Sequence, residues 1–184
     1  MKPLKQAGTL CVCEADNQKP LVLLVTSRDT GRWVIPKGWP AKCLEPNDAA
    51  AREAMEEAGV AGKVATKPIG SYQYVRSQPG GDQLHNVSVY LIAARSAFDR
   101  WPEDAQRKRG WFSISSAARR VAEPELRRLI RRIGTLIDHP KWRSITELTT
   151  RPDRKTRPRT KSAMGHPKRI ARGKAVSHRR SVEG

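Results

Sequence analysis

The sequence predicts an α/β (α+β) protein: a mixed β-sheet flanked by helices, followed by a basic extension. Two observations carry this. Apolar stretches of strand length recur from residue 6 to residue 95 with one alanine-rich helical segment among them, and helical periodicity returns over 115–138. The charge is also uneven. Net charge is +18, yet residues 1–138 hold 22 Lys/Arg against 15 Asp/Glu while 139–184 hold 14 against 3. A mildly basic domain over 1–142 and a polycationic tail over 143–184, disordered when alone, follow from that shift.

In order along the chain, "QAGTLCVC" and "PLVLLVT" read as two strands joined by the polar turn "EADNQK". "RWVIP" is a third short strand stopped by Pro36, and "KGWPAKCLEP" is a loop rich in Gly and Pro. Asn47 suits a helix N-cap and Asp48 suits the positive end that follows it. "DAAAREAMEEA" is built from strong helix formers, with Gly59 as the residue that ends it. "KVATKPIGSYQYVR" and "HNVSVYLIAAR" are two more strands linked by "SQPGGDQ", and "GWFSI" is another. "SSAARRVA" is helical, and "EPELRRLIRRIGTLID" forms a helix with an apolar stripe at Leu126, Leu129, Ile130, Ile133, Leu136 and Ile137. Trp33 and Trp111 fall in strand patterns as core residues, and His85 as a structural strand residue.

The bulk features exclude several classes. Cys11, Cys13 and Cys43 cannot all pair, and their spacing is not that of a zinc finger, so a reducing, cytoplasmic setting is expected. Lys2 and Lys5 are not followed by an apolar signal-peptide segment, and the longest apolar runs are far short of the ~20 residues that span a bilayer. The chain reads as soluble, with no membrane partner.

The acidic helix poses the chemical question. At about 100° per residue, Glu53, Glu56 and Glu57 fall within an arc of about 100°, and like charges so placed repel one another. Arg52 on the flank compensates one of them. Small residues, Ala49, Ala50, Ala51, Ala54, Met55 and Ala58, fill the opposite side, so the helix can lie close to a sheet. The carboxylates would then stand over Gly38, where the backbone can approach a cation. Clustered hard oxygens suit Mg²⁺ or Mn²⁺, ions that keep waters and reach substrate phosphates. A solvated acidic face is the plainer alternative.

From Gly38 to "REAMEEAGV" the chain resembles the Nudix box: Gly, five residues, Glu, seven residues, then Arg-Glu-apolar-x-Glu-Glu-x-Gly-apolar. Its second half is met at Arg52, Glu53, Glu56, Glu57, Gly59 and Val60. The resemblance implies a Nudix-type sandwich-like mixed sheet with flanking helices, hydrolysing a diphosphate linked to another moiety. It implies Glu53 and Glu57 as main metal ligands with a backbone carbonyl near Lys37 or Gly38. Glu56 would ligate through water or act as the base, with Glu53 beside it in the catalytic set. Arg52 and Gly59 would be structural. The chain departs from the pattern at Leu44, where the family has its first Glu; that Glu generally braces the Arg, and Glu45 is the candidate stand-in.

Over residues 6–138 "LLVTSRDTGRWVIPKG" and "QRKRGWFSISSA" are similar to the diphosphoinositol polyphosphate phosphohydrolase branch, which also takes diadenosine polyphosphates. The likeness implies Ser27, Arg28, Arg107, Lys108 and Arg109 as substrate-facing groups, and Arg can grip phosphate bidentately. "SQPGGDQLHN" lacks the basic residues that this branch carries on its hairpin, which keeps nucleotide sugars and oxidised nucleotides open as substrates. Trp39 either stacks a base or packs its loop. The tail is expected to bind nucleic acid or another polyanion without sequence preference, or simply to solubilise. The rival to an enzyme is a Nudix-like module, weakened by Leu44, that binds nucleic acid or ribosomes through that tail.

Overall fold

A computed structural model describes residues 2–14, 19–40 and 42–138. The expected domain boundary after residue 142, with Trp142 and the basic tail, lies outside the described residues.

Alternating apolar positions produce two packed faces on one sheet. Strands β1 (Leu4–Glu14) and β2 (Pro20–Thr26) pair antiparallel, with Val12 opposite Val22. Leu10 and Val12 of β1, with Val22 and Leu24 of β2, enter one core; Cys11, Cys13, Leu23 and Val25 enter the other. The long strand β7 (Gly81–Ala97) runs parallel to β1 from Leu4↔His85 to Val12↔Ala93. Its other edge takes β6 (Gly70–Gln78) and then β5 (Val60–Val64), both antiparallel. Strand β8 (Arg109–Ser113) pairs with β2, as does the two-residue β3 (Trp33–Val34). The result is a mixed sheet, as predicted.

Helix α1 (Pro46–Ala58) covers one face and α2 (Ile114–Arg120), α3 (Pro124–Arg131) and α4 (Ile133–Asp138) follow β8. Ala54 and Ala58 of α1 pack on the Cys11/Leu23 core; Ala117, Leu126 and Ile130 pack on the Leu10/Leu24 core. His85 is a buried strand residue on β7, 1% exposed. Trp33 and Trp111 are half-buried against opposite cores.

Several local expectations are corrected. Helix α1 starts at Pro46, with Glu45 and not Asn47 at the N-cap, because proline's fixed φ is already helical and its missing N–H costs nothing there. The segment 63–76 is two strands, and the first of them begins at Val60, directly after Gly59 turns left-handed with φ 61°. "RWVIP" contributes only Trp33–Val34, and the supposed loop opens with β4 (Lys37–Gly38) on β1, opposite Ala7 and Gly8. The apolar stripe over 126–137 is divided between α3 and α4 at Arg132.

Candidate active site

Strand β4 and helix α1 build the centre of the site together. Gly38 lies against the Glu53 carboxylate so closely that a Cβ there would stand 2.2 Å from Glu53 Cδ. Only glycine permits that approach. One helical turn on, Glu57 Oε2 accepts the backbone N–H of Lys37 at 3.0 Å. Glu53 and Glu57 are 9% and 6% exposed and belong to the buried face of α1, beside Ala50, Ala54 and Ala58. The expected opposition of carboxylates and alanines is therefore corrected for these two. Glu56 alone points outward, its side chain 45% exposed and 3.5 Å from Arg52 Nε.

The two buried carboxylates open on a cavity of about 490 Å³. Of the sequence-predicted residues, Ser27, Arg28, Lys37, Gly38, Arg52, Glu53, Glu57 and Arg107 line it; Glu56, Gly59, Lys108 and Arg109 do not. Arg107 is 8% exposed and each of its three guanidinium nitrogens donates a hydrogen bond. Nη2 donates to Glu57 Oε1, Nε to Glu103 Oε2 at 2.5 Å, and Nη1 to the Thr26 carbonyl at 2.9 Å. Arg28 joins the same network through Glu103 at 3.4 Å. Ser27 shares a 2.7 Å hydrogen bond with Thr30 inside the turn that leads to Gly31, where φ is 66°.

Arg109 lies elsewhere. It donates to the Ala58 carbonyl at 2.7 Å and stacks over Trp101, so it satisfies the C-terminal end of α1. The Lys108 backbone N–H donates to Thr26 Oγ1 at 2.9 Å, which registers β8 on β2. Arg52 donates to Glu53 at 3.2 Å, but its Nε is buried without a hydrogen-bond partner. Leu44, 41% exposed, offers no brace, and Glu45 forms no ion pair with Arg52.

Burial dominates the electrostatics. It pushes the Glu57 carboxyl up to about 7 despite Arg107 and the Lys37 amide, and it raises Glu53 as well. Burial lowers the Lys37 ammonium, against the pull of Glu57. Two shielded carboxylates whose charge is disfavoured suit a hard divalent cation, which Mg²⁺-type sites bind with one or two carboxylates plus waters and substrate phosphates. Among the described residues no three Asp, Glu, His or Cys side chains converge into a group that could hold a metal ion by themselves; Glu53 and Glu57 share the cavity, and Glu56 does not line it.

Sequence reasoning missed Glu103 and Glu123, Tyr74 and Gln6, all on the cavity wall. Tyr74 donates to Gln6 Oε1 at 2.8 Å and stacks on His85 at 4.7 Å, which in turn meets Trp39 at 5.6 Å. No local pattern marks these residues. Strand pairing brings them in.

A family model described as "NUDIX domain" matches residues 4–133. "Diphosphoinositol polyphosphate phosphohydrolase 3-beta" of Bos taurus is 33% identical over 115 residues, covering 61% of this chain and 66% of the relative. "Diphosphoinositol polyphosphate phosphohydrolase 2" of Rattus norvegicus is 34% identical over 110 residues, 58% of each. The match thus spans under two thirds of either relative. The solved structure of a C. elegans Ap4A hydrolase binary complex superposes with TM-score 0.54 at 18% identity, over 73% of this chain and 97% of that one. A MutT NUDIX hydrolase from Burkholderia pseudomallei gives 0.52 at 20%, over 72% and 99%. No helix among the described residues is long and apolar enough to cross a membrane.

Proposed function

Because this chain belongs to the NUDIX domain family, we propose that it hydrolyses a phosphoanhydride in a phosphorylated small molecule, by attack of water on phosphorus. The observation that carries this reading is the buried pair Glu53 and Glu57 beside Gly38, facing a cavity that also holds Arg28, Lys37 and Arg107. The similarity to relatives named diphosphoinositol polyphosphate phosphohydrolases, and the fold shared with an Ap4A hydrolase, support diphosphoinositol polyphosphates or dinucleoside polyphosphates as substrates.

Glu53 and Glu57 would hold Mg²⁺ or Mn²⁺. Such an ion, when bound, draws charge from the anhydride oxygens and makes a water acidic enough to attack. Glu56, half-exposed on α1 and 3.5 Å from Arg52 Nε, would ligate through water or act as the base that passes the proton to solvent. Lys37 and Arg107 supply fixed positive charge where the leaving phosphate collects its own. Arg28, with Ser27 in the turn behind it, would meet the outer phosphates, and Lys108 and Arg109 would act from the second row through β8.

The buried cysteines Cys11 and Cys13 suit a cytoplasmic setting. Residues 143–184 would form a separate basic tail that binds polyanions weakly and in a salt-sensitive way. A weakened binding module is the second reading, favoured by Leu44 at the position of the first box Glu and by Arg52 Nε, which is buried without a hydrogen bond. One experiment separates the two. Glu57→Gln should abolish Mg²⁺-dependent turnover on a panel of diphosphoinositols and dinucleoside polyphosphates; a wild-type protein that turns over no member of that panel supports the module.

A further inference from the structure

A second cavity, of about 480 Å³, lies at the other end of β2 from the candidate active site, and the two share no residue. Thr26, whose carbonyl Arg107 reaches, closes one end of that strand and Pro20 opens the other. Six residue steps separate them, which at about 3.3 Å each is roughly 20 Å. Strand pairing assembles the cavity. Leu21 faces Ser113 across β2 and β8, which sets Lys19 and Pro20 beside Ser113 and Ser115. Ile114 packs against the core that holds Ile130 and Ile133, and Arg131 of α3 thereby reaches the same wall as Arg119 of α2.

The charge of this wall is one-sided. Lys19, Arg119 and Arg131 line it, and among the described residues no Asp or Glu does, whereas five carboxylates stand on the wall of the active-site cavity. Nearby arginines are engaged: Arg120 lies over Phe112 and donates to the Ser116 carbonyl, Arg127 donates to the Val121 carbonyl, and Arg128 pairs with Glu125. Arg119 and Arg131 are exposed and form no ion pair among the described residues. Cations gathered without a counter-charge repel one another, and a bound anion relieves them. The Ser113 and Ser115 hydroxyls add hydrogen-bond donors, while Pro20 and Ile114 give the wall an apolar part and no aromatic lines it. Such a wall suits a chain in which phosphates alternate with sugars, held by charge and not by base stacking. An unbroken run of phosphates would leave the apolar part unmatched. Helix α4 leads from this face into residues 139–184, whose 14 Lys/Arg against 3 Asp/Glu continue the positive charge along the sequence.

We propose that this cavity is a nucleic-acid contact on the folded domain: Arg119, Arg131 and Lys19 hold backbone phosphates, and the basic segment after α4 extends the contact. Binding here is independent of Glu53 and Glu57, so it goes with an active enzyme and with an inactive module alike.

The test is fluorescence anisotropy of a short labelled oligothymidine titrated with the full chain over a range of salt concentrations. Arg119→Ala with Arg131→Ala removes two phosphate contacts. The slope of log K against log salt should then fall by about 1.4, at about 0.7 per contact on a single strand, and affinity at about 0.1 M salt by on the order of tenfold. Lys67→Ala with Arg95→Ala removes the same charge from exposed positions elsewhere on the domain and should leave the slope unchanged. Ser115→Asp places a carboxylate four residues before Arg119, a spacing that supports α2, so it should weaken the oligonucleotide while Tm holds. Glu57→Gln should not weaken it. Equal losses in the two double variants would reduce the effect to net charge and overturn the site, as would unchanged affinity in Ser115→Asp. Weaker binding in Glu57→Gln would put the strand in the active-site cavity, and tighter binding of inorganic polyphosphate of equal charge would make the ligand a different polyanion; either overturns the assignment.

Discussion

Replacing Gly38 by alanine probes the contact on which the site is built. The added Cβ would lie 2.2 Å from Glu53 Cδ and 2.3 and 2.4 Å from the two carboxylate oxygens, whereas ordinary contact begins at 3.4 Å. The carboxylate must therefore retreat by about 1 Å. Its helix cannot follow, because it rests on Ala49, Ala50, Ala54 and Ala58, each fully buried, so the carboxylate must swing into the cavity and out of its place beside β4. Overpacking of this order costs about 1–3 kcal/mol, and a catalytic group misplaced by about 1 Å costs on the order of 100-fold in rate. Urea unfolding and initial rates on a diadenosine polyphosphate with Mg²⁺ read the two effects separately. Adding Glu53→Ala to Gly38→Ala removes the clash, so stability should return to that of Glu53→Ala alone while turnover stays lost. A Gly38→Ala protein as stable and as active as wild type would refute the proposed geometry.

Three other outcomes are expected. Arg107→Ala takes from Glu57, Glu103 and the Thr26 carbonyl the one guanidinium that joins them in a buried network, so unfolding free energy should fall by roughly 3–5 kcal/mol. A loss below about 1 kcal/mol, the scale of a surface pair, would show the network to be slack. The Glu57 carboxyl, raised from 4.5 to about 7 mainly by burial, favours folding only while protonated; that contribution is complete below about 4.5 and disappears as pH rises through 7. Chelator-treated protein should thus lose stability from about pH 4.5 to 7 and level off above that, and Mn²⁺, which needs the ionised carboxylate, should raise Tm more at pH 8 than at pH 6; equal increments would remove Glu57 from the ligand set. Burial holds the Cys11 thiol at about 12 while Cys43 is exposed, so a thiol reagent should label one cysteine quickly in the native protein and all three only in denaturant. Fast labelling of two would place a second thiol at the surface.

Local chemistry made much of this protein legible from its residues. The two strand faces of β1 and β2, the helix from the alanine-rich segment to Gly59, and the Glu53/Glu57 pair one turn apart are all written in spacings of two or four residues. Such spacings hold whatever the rest of the chain does. Gly38 belongs with them, because its place relative to Glu53 follows a fixed motif. The start of that helix is legible only to within two residues, because Asn47 suits an N-cap and Pro46 suits the first helical position, and the proline prevails.

What only the tertiary structure decided depends on strand register. Pairing of β8 with β2, Val25 opposite Arg109 and Lys108 bonded to Thr26, carries Arg107 to the Thr26 carbonyl and onto Glu57, fifty positions away in sequence. The same pairing turns Arg109 to the end of α1 and away from the cavity. Glu103 and Glu123 reach the wall through loops that β8 and α3 anchor, and no periodicity in their own neighbourhoods marks them. A helix or strand pattern reports which side of an element is buried, because that is a property of its own repeat. Which side chains then share a cavity is set by pairings between distant segments, whose energies are sums over contacts that no single stretch contains.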